Sequence, residues 1–232
     1  MMVEIIDFSK RYEKDCIFKD FNLSLEENQI TCILGNSGSG KTTLLNAISN
    51  LTDYEGKISS SKDISYVFQD ERLIRPLTIK KNVEIVLDNL DKKEREKIAL
   101  EFLDKVELKG DCNKKPRELS GGMNQRVSIA RAFAKKSKLL LMDEPFKALD
   151  ISLKKRIIDT FINLWLEDKR TCVFVTHSID EALLLSHRII VLGDRPAKVI
   201  GDLNVDKEIV NRDLNEDYFL NLRKQVYAIL TK

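Results

Sequence analysis

The sequence predicts an α/β domain built on a mainly parallel sheet, with an N-terminal antiparallel β portion and an inserted α-helical subdomain. Three observations predict it. From about residue 138 onward, short apolar runs alternate with helical patterns, the order that builds a parallel sheet covered by helices. The first third reads largely as strand. Between about Arg72 and Lys136 the pattern turns helical, which splits the core in two.

Each element has its own signal. Residues 3–8 and 17–25 alternate apolar and polar side chains, and residues 30–34 form the continuous apolar run of a buried strand. A glycine-rich stretch follows, then a helix over about 41–49 and a short strand over 64–68, stopped by Gln69-Asp70. In the insert, Ile98, Phe102 and Val106 recur every four residues beside Ala99 and Leu103, giving one apolar stripe. Pro116 interrupts, and Ser120 is placed to cap a helix carrying Ile129, Ala130, Phe133 and Ala134 on one face. Strands over 138–142, 171–176 and 188–192 then alternate with helices over 152–166 and 179–186. The tail, 202–232, is polar with Phe219, Leu222, Val226 and Leu230 at intervals, and reads as a closing helix. The expected organisation is one domain over 1–232: a core of 1–71 and 137–201, a helical subdomain of 72–136, and the tail.

Composition excludes several classes. The 39 basic and 37 acidic side chains leave a net charge of +2, so nothing in the whole chain argues for a nucleic-acid partner. Cys16, Cys32, Cys112 and Cys172 fit no zinc spacing and suit a reducing compartment. The N-terminus is too acidic and too short in apolar length for a signal peptide, and no stretch approaches the roughly 20 apolar residues that span a bilayer. Any membrane role is therefore expected to be peripheral, through a partner.

The chemistry lies in a few stretches. Gly35-Asn36-Ser37-Gly38-Ser39-Gly40-Lys41-Thr42 is a GxxxxGK[ST] phosphate loop between a buried strand and a helix. Its glycines let backbone N–H groups converge on phosphate, Lys41 reaches the β- and γ-phosphates, and the Thr42 hydroxyl suits Mg²⁺. Asp143 ends an apolar run and can hold Mg²⁺ through water; Glu144 follows, placed to polarise an attacking water. His177 and Gln69 each follow a strand of the same sheet, where parallel strands end at the ligand edge. Histidine there suits the γ-phosphate and the water, and glutamine the metal and the water; His187 is expected to be structural. Leu119-Ser120-Gly121-Gly122-Met123-Asn124-Gln125 is a second phosphate-seeking turn, which suggests that two copies close around one nucleotide.

In this order and spacing, the chain resembles the ATP-binding subunits of ABC transporters over nearly its whole length. Tyr12 matches the aromatic that stacks on adenine, residues 35–42 the Walker A loop and Gln69 the Q-loop. Residues 119–125 match the signature, 139–144 the Walker B strand, Ala148-Leu149-Asp150 the D-loop, and His177 the H-loop. The resemblance implies Mg²⁺-dependent ATP hydrolysis in a head-to-tail dimer. Tyr12, Gly35 through Thr42, and Thr43 would hold the nucleotide, covered by the other copy's Ser120, Gly121, Gly122, Gln125 and Asp150. Thr42, Gln69 and Asp143 would hold the metal, and Glu144, His177 and Gln69 would act in hydrolysis.

Residues 67–74, 119–131 and 173–177, with the short tail, are closer to importers of the nitrate, sulfonate and taurine type, a group that also takes up a thiamine pyrimidine precursor. Such a subunit implies two permease subunits, an extracytoplasmic solute-binding protein, and a place on the cytoplasmic face of the membrane. The rivals are an exporter or lipoprotein-release ATPase and a non-transport ABC ATPase acting on DNA, ribosomes or iron–sulfur assembly. Departures from the family wording are Ile74-Arg75-Pro76-Leu77-Thr78 after the Q-loop, Lys147 before the D-loop, Asn124 and Ser137.

Overall fold

The computed structural model describes residues 3–147 and 149–231. In chain order the elements are β1 (Val3–Tyr12), β2 (Asp15–Leu25), β3 (Ile30–Gly35), α1 (Lys41–Ile48), β4 (Glu55–Ser59), β5 (Ile64–Val67), α2 (Ile79–Glu84), α3 (Lys92–Lys105) and α4 (Gly121–Ala134). They continue with β6 (Leu139–Asp143), α5 (Ile151–Asp168), β7 (Thr171–Thr176), α6 (Ile179–Leu185), β8 (Arg188–Leu192), β9 (Val199–Asn204) and α7 (Asp217–Leu230).

The strands form two sheets. An antiparallel sheet has the order β2-β1-β4, and a six-stranded sheet has the order β5-β6-β7-β3-β8-β9. In the larger sheet every pair is parallel except β8 with β9. Successive side chains of a strand face opposite ways, and the core divides accordingly. Ile33, Leu139, Leu141, Val173, Val175, Ile190 and Leu192 face α1 and the antiparallel sheet, where Phe8, Phe18 and Phe21 pack. Cys32, Leu140, Met142, Cys172, Phe174, Ile189 and Val191 face the core shared with α5, α6 and α7. Both cysteines are fully buried small hydrophobes.

Between β5 and β6 in the chain, α2, α3 and α4 pack on one another. Ala99, Leu103 and Val106 are buried, with Ile98 and Phe102 half-buried beside them. Pro116 opens a short 3₁₀ turn, and the Ser120 Oγ then accepts the Met123 N–H at 3.3 Å to cap α4. Asn82, fully buried on α2, accepts the Ile74 N–H at 2.7 Å and donates to the Ile74 and Thr78 carbonyls. One amide side chain therefore folds the divergent 74–78 stretch into a defined turn.

Two expectations are settled by these contacts, one of them by correction. The tail is not helical from 202: β9 extends the sheet to Asn204, and the closing helix begins only at Asp217, with Phe219, Leu222 and Val226 buried. Strands β4 and β9 carry no apolar alternation because both lie at sheet edges with exposed or half-exposed side chains. His187 is structural, as expected. Its backbone N–H donates to the Ile30 carbonyl at 2.8 Å and its Nδ1 accepts the Ile30 N–H at 3.1 Å.

Edge strand β9 is fastened by Arg188, whose Nε and Nη2 donate to the two Asp202 oxygens at 2.8 and 2.7 Å. The guanidinium holds the Asp202 carboxyl below its ordinary value. Its contribution to stability is present above the ordinary aspartate value and disappears as pH falls through the lower folded-state value. Asp202→Asn should therefore cost at most about 1 kcal/mol near neutrality, the range for a partly exposed pair. In thermal melts, the gap between the two proteins should close in acid; a gap that persists there contradicts the assignment.

Candidate functional site

Parallel pairing brings the C-terminal ends of five strands to one edge. Leu34 lies opposite Thr176, Asp143 opposite Val175, and Gly35 opposite Leu192. The segments after β3, β5, β6, β7 and β8 leave from that edge, the usual ligand side of such sheets. They carry the phosphate loop, Gln69, Glu144, His177 and residues 193–198 respectively.

The phosphate loop is shaped by close approach. A Cβ on Gly35 would lie 2.8 Å from the Leu192 carbonyl oxygen. Gly40, at φ 99°, opens α1 in the left-handed region, and a side chain there would meet Ile17 and Phe18 at 2.7 Å. Lys41 Nζ donates to the Gly35 and Asn36 carbonyls, each at 2.8 Å, inside the loop's curve. Burial lowers the ammonium from its ordinary pKa, opposed by the charges of Glu144 and Asp143. A cavity of about 280 Å³ opens beside it, lined by Ser37, Gly38, Gly40, Lys41, Thr42 and Thr43, and by Gln69, Glu144, Lys147 and Arg195.

Asp143 is 3% exposed at the end of β6, beside the Thr42 hydroxyl, which favours its charged form. Burial raises its carboxyl above the ordinary value, and the neighbouring Glu144 charge adds to that. Among the described residues no cluster of three or more His, Cys, Asp or Glu could hold a metal. The buried Asp143 carboxylate, the Thr42 hydroxyl and the Gln69 amide instead fit Mg²⁺, which takes few protein oxygens and completes its shell with water and phosphate.

Glu144 continues the ladder for one residue beyond β6, its N–H donating to the Val175 carbonyl at 3.0 Å. It does so at φ 46°, an unfavourable region for a non-glycine residue. Its Oε1 lies 3.2 Å from His177 Nδ1 and its Oε2 2.8 Å from Lys147 Nζ. Burial on its own would raise the Glu144 carboxyl, but Lys147 and His177 outweigh it and hold the group below its ordinary value. Glu144 is thus an ionised base at neutral pH, with an exposed imidazole beside it.

The other expected residues lie elsewhere. Ser120 and Gly121 are exposed at the start of α4, and neither they nor Gly122 line the phosphate cavity. Gln125 points inward: it is buried, and its Nε2 donates to the Pro145 carbonyl at 2.9 Å. Asp150 caps α5 by accepting the Leu153 N–H at 3.0 Å, and Ala148 of the expected D-loop lies outside the described residues. Tyr12 is 47% exposed at the end of β1, with Lys10 Nζ 4.7 Å from its ring centre.

The sequence pattern of the ABC transporter family matches residues 18–147. The chain belongs to that family. The aliphatic sulfonates import ATP-binding protein SsuB of Bacillus cereus is 36% identical, over 97% of this chain and 94% of that one. The nitrate import ATP-binding protein NrtC of Synechocystis is 39% identical over 80% of this chain and 30% of its own, longer chain. Among solved structures, the dimeric ATP-binding cassette MJ0796 in a post-hydrolysis state with ADP and Pi superposes with a TM-score of 0.80. It is 34% identical, and the match covers 89% of this chain and 100% of that one.

In this ABC transporter chain, two cations at the phosphate cavity are hidden from the sequence in whole or in part. Lys147 stands out there only as a departure in wording; its pairing with Glu144, three residues earlier, becomes visible once the turn after β6 is formed. Arg195 carries no sequence signal at all. It reaches from the β8–β9 loop to the phosphate loop, where its Nε donates to the Gly38 carbonyl at 2.6 Å. Its Nη1 lies 3.5 Å from Asp15, the first residue of β2. Arg195→Ala removes a charge-assisted bond and should weaken ADP and ATP binding about tenfold. Titration calorimetry checks this, and an unchanged affinity removes Arg195 from the nucleotide site.

Proposed function

We propose that this chain is the ATP-hydrolysing subunit of a small-solute importer and works as a head-to-tail dimer. The observation that carries the reading is the position of Glu144. A base held ionised by Lys147 stands on the rim of the cavity lined by the phosphate loop, against His177. The start of α4, exposed at Ser120 and Gly121, is left free to meet another copy's nucleotide.

ATP enters with its adenine on Tyr12 and its phosphates against the N–H groups of the 35–43 loop. The Lys41 ammonium redirects its N–H hydrogen bonds from the loop carbonyls to phosphate oxygens. Thr42, Gln69 and Asp143 would hold Mg²⁺, which would neutralise charge on the phosphates. The partner copy brings Ser120, Gly121 and Gly122 over the open side, with Gln125 and Asp150 shaping that contact from behind. Closure excludes bulk water. Glu144 then accepts a proton from the attacking water, and His177 helps to hold that water, giving ADP and phosphate.

The same proposal divides the chain into a core (1–71 and 137–201), a helical subdomain (72–136) and a tail (202–232) whose first residues complete β9. The subdomain and Gln69 would pass motion to two permease subunits served by an extracytoplasmic binding protein. Among the described residues no helix is long and apolar enough to cross a membrane, so attachment at the cytoplasmic face would run through those subunits. The sulfonate and nitrate importers named among the relatives support a small oxyanion as cargo.

Glu144→Gln should bind ATP yet lose at least about a hundredfold in turnover, the usual scale for a general base. It should also accumulate as an ATP-bound dimer in size-exclusion chromatography. Near-normal steady-state hydrolysis would sink the base assignment. Isolation of the chain from its own cells should bring down a polytopic membrane protein and a solute-binding protein; a purely soluble assembly rejects the import reading.

A further inference from the structure

Glu181 lies in the first turn of α6, 4% exposed, and does not line the phosphate cavity. A carboxylate at that depth requires partners. Its Oε2 accepts the Thr176 hydroxyl at 2.5 Å, and its Oε1 is ion-paired with Lys154 Nζ on α5. Thr176, 1% exposed, is the last residue of β7. Its Oγ1 in turn accepts the Ser178 N–H at 3.1 Å, and the Ser178 Oγ accepts the Glu181 N–H at 3.3 Å.

These bonds close a ring of polar contacts around position 177. Of the three turn residues 176–178, only His177 is exposed, and its Nδ1 meets Glu144. The other end of the network reaches α5. Lys154 donates its backbone N–H to the Asp150 carbonyl at 2.7 Å, within the first turn of the helix that Asp150 caps. A role for Glu181 in helix capping alone does not account for this arrangement, because Ser178 already caps α6 and an N-terminal glutamate satisfies the helix dipole in solvent.

We infer that Thr176 and Glu181 are positioning residues for His177, and that Lys154 ties this positioning to the Asp150 end of α5. The inference rests on the hydrolytic roles proposed for Glu144 and His177. A small displacement of the imidazole would slow turnover without touching Tyr12 or the 35–43 loop.

The full chain can be tested with Thr176→Val, Thr176→Ser and Lys154→Met, with Glu144→Gln alongside. Thr176→Val and Lys154→Met should each lower kcat by about 10- to 100-fold, the scale of a misplaced catalytic group. KM for ATP should stay within about twofold, since Tyr12 and the 35–43 loop, which hold the nucleotide, are untouched. Thr176→Ser, which keeps the hydroxyl, should restore kcat. The chain has two histidines, so the His177 ring signals can be followed by NMR; they should move in Thr176→Val and return in Thr176→Ser.

If Thr176→Ser loses as much activity as Thr176→Val, the effect belongs to packing and the positioning role is overturned. A normal kcat in Lys154→Met overturns the link to α5. A dead Glu144→Gln beside a normal Thr176→Val overturns the positioning of His177 alone, whereas a near-normal Glu144→Gln overturns the reading beneath it.

Discussion

The register of the parallel sheet is the constraint on which the rest depends. With Leu34 against Thr176 and Asp143 against Val175, β3 and β6 each end within one residue of the end of β7. Hydrogen bonding of the ladder thereby sets where Gly35, Asp143, Glu144 and His177 stand. Glu144 takes one further ladder bond to the Val175 carbonyl, at the cost of a left-handed backbone. A slip of one residue would turn every strand side chain to the opposite face. It would expose Leu141 and Val173 to the wrong core and disperse the site, so the packing that stabilises the sheet also enforces its chemistry.

Charge at that edge is balanced locally. Asp143 and Glu144 are adjacent carboxylates, one buried and one partly so, and Lys41 and Lys147 answer them from the two sides. The buried members are shifted toward neutrality by desolvation, while Glu144, with a cation and an imidazole against it, is shifted toward the ionised form. Two neighbouring carboxylates are thereby given different protonation behaviour, as different roles require.

The helical insert is fastened to the same edge by polar contacts from one helix. Gln125 of α4 holds the carbonyl of Pro145, the residue after Glu144. Arg131 of α4 donates to the Glu71 and Arg72 carbonyls, just beyond Gln69. Displacement of α4 therefore bears on the segments after β5 and β6 together. The family pattern places Gln125 at the nucleotide; its spacing from Ser120 is visible in the sequence, but the direction of its side chain depends on which face of α4 is buried.

Much of the fold was legible because buried strands and capped helices leave local signatures. The apolar runs 30–34, 139–142 and 171–176, the Ser120 cap and the glycine loop are each decided by residues close together in the chain. The sequence by itself determined the order of the apolar strands and of most helices, the phosphate loop, and the acidic pair at the end of β6. Only the tertiary structure decided the edge strands β4 and β9, which carry no apolar face, and the long-range partners of the site. Arg195 meets Gly38 across 157 positions and Asn28 meets Thr171 across 143, contacts that no local pattern encodes. The buried link from Lys154 through Glu181 to Thr176 likewise exists only once α5, α6 and β7 pack together, because only that packing brings these three side chains within reach and buries the carboxylate that needs them.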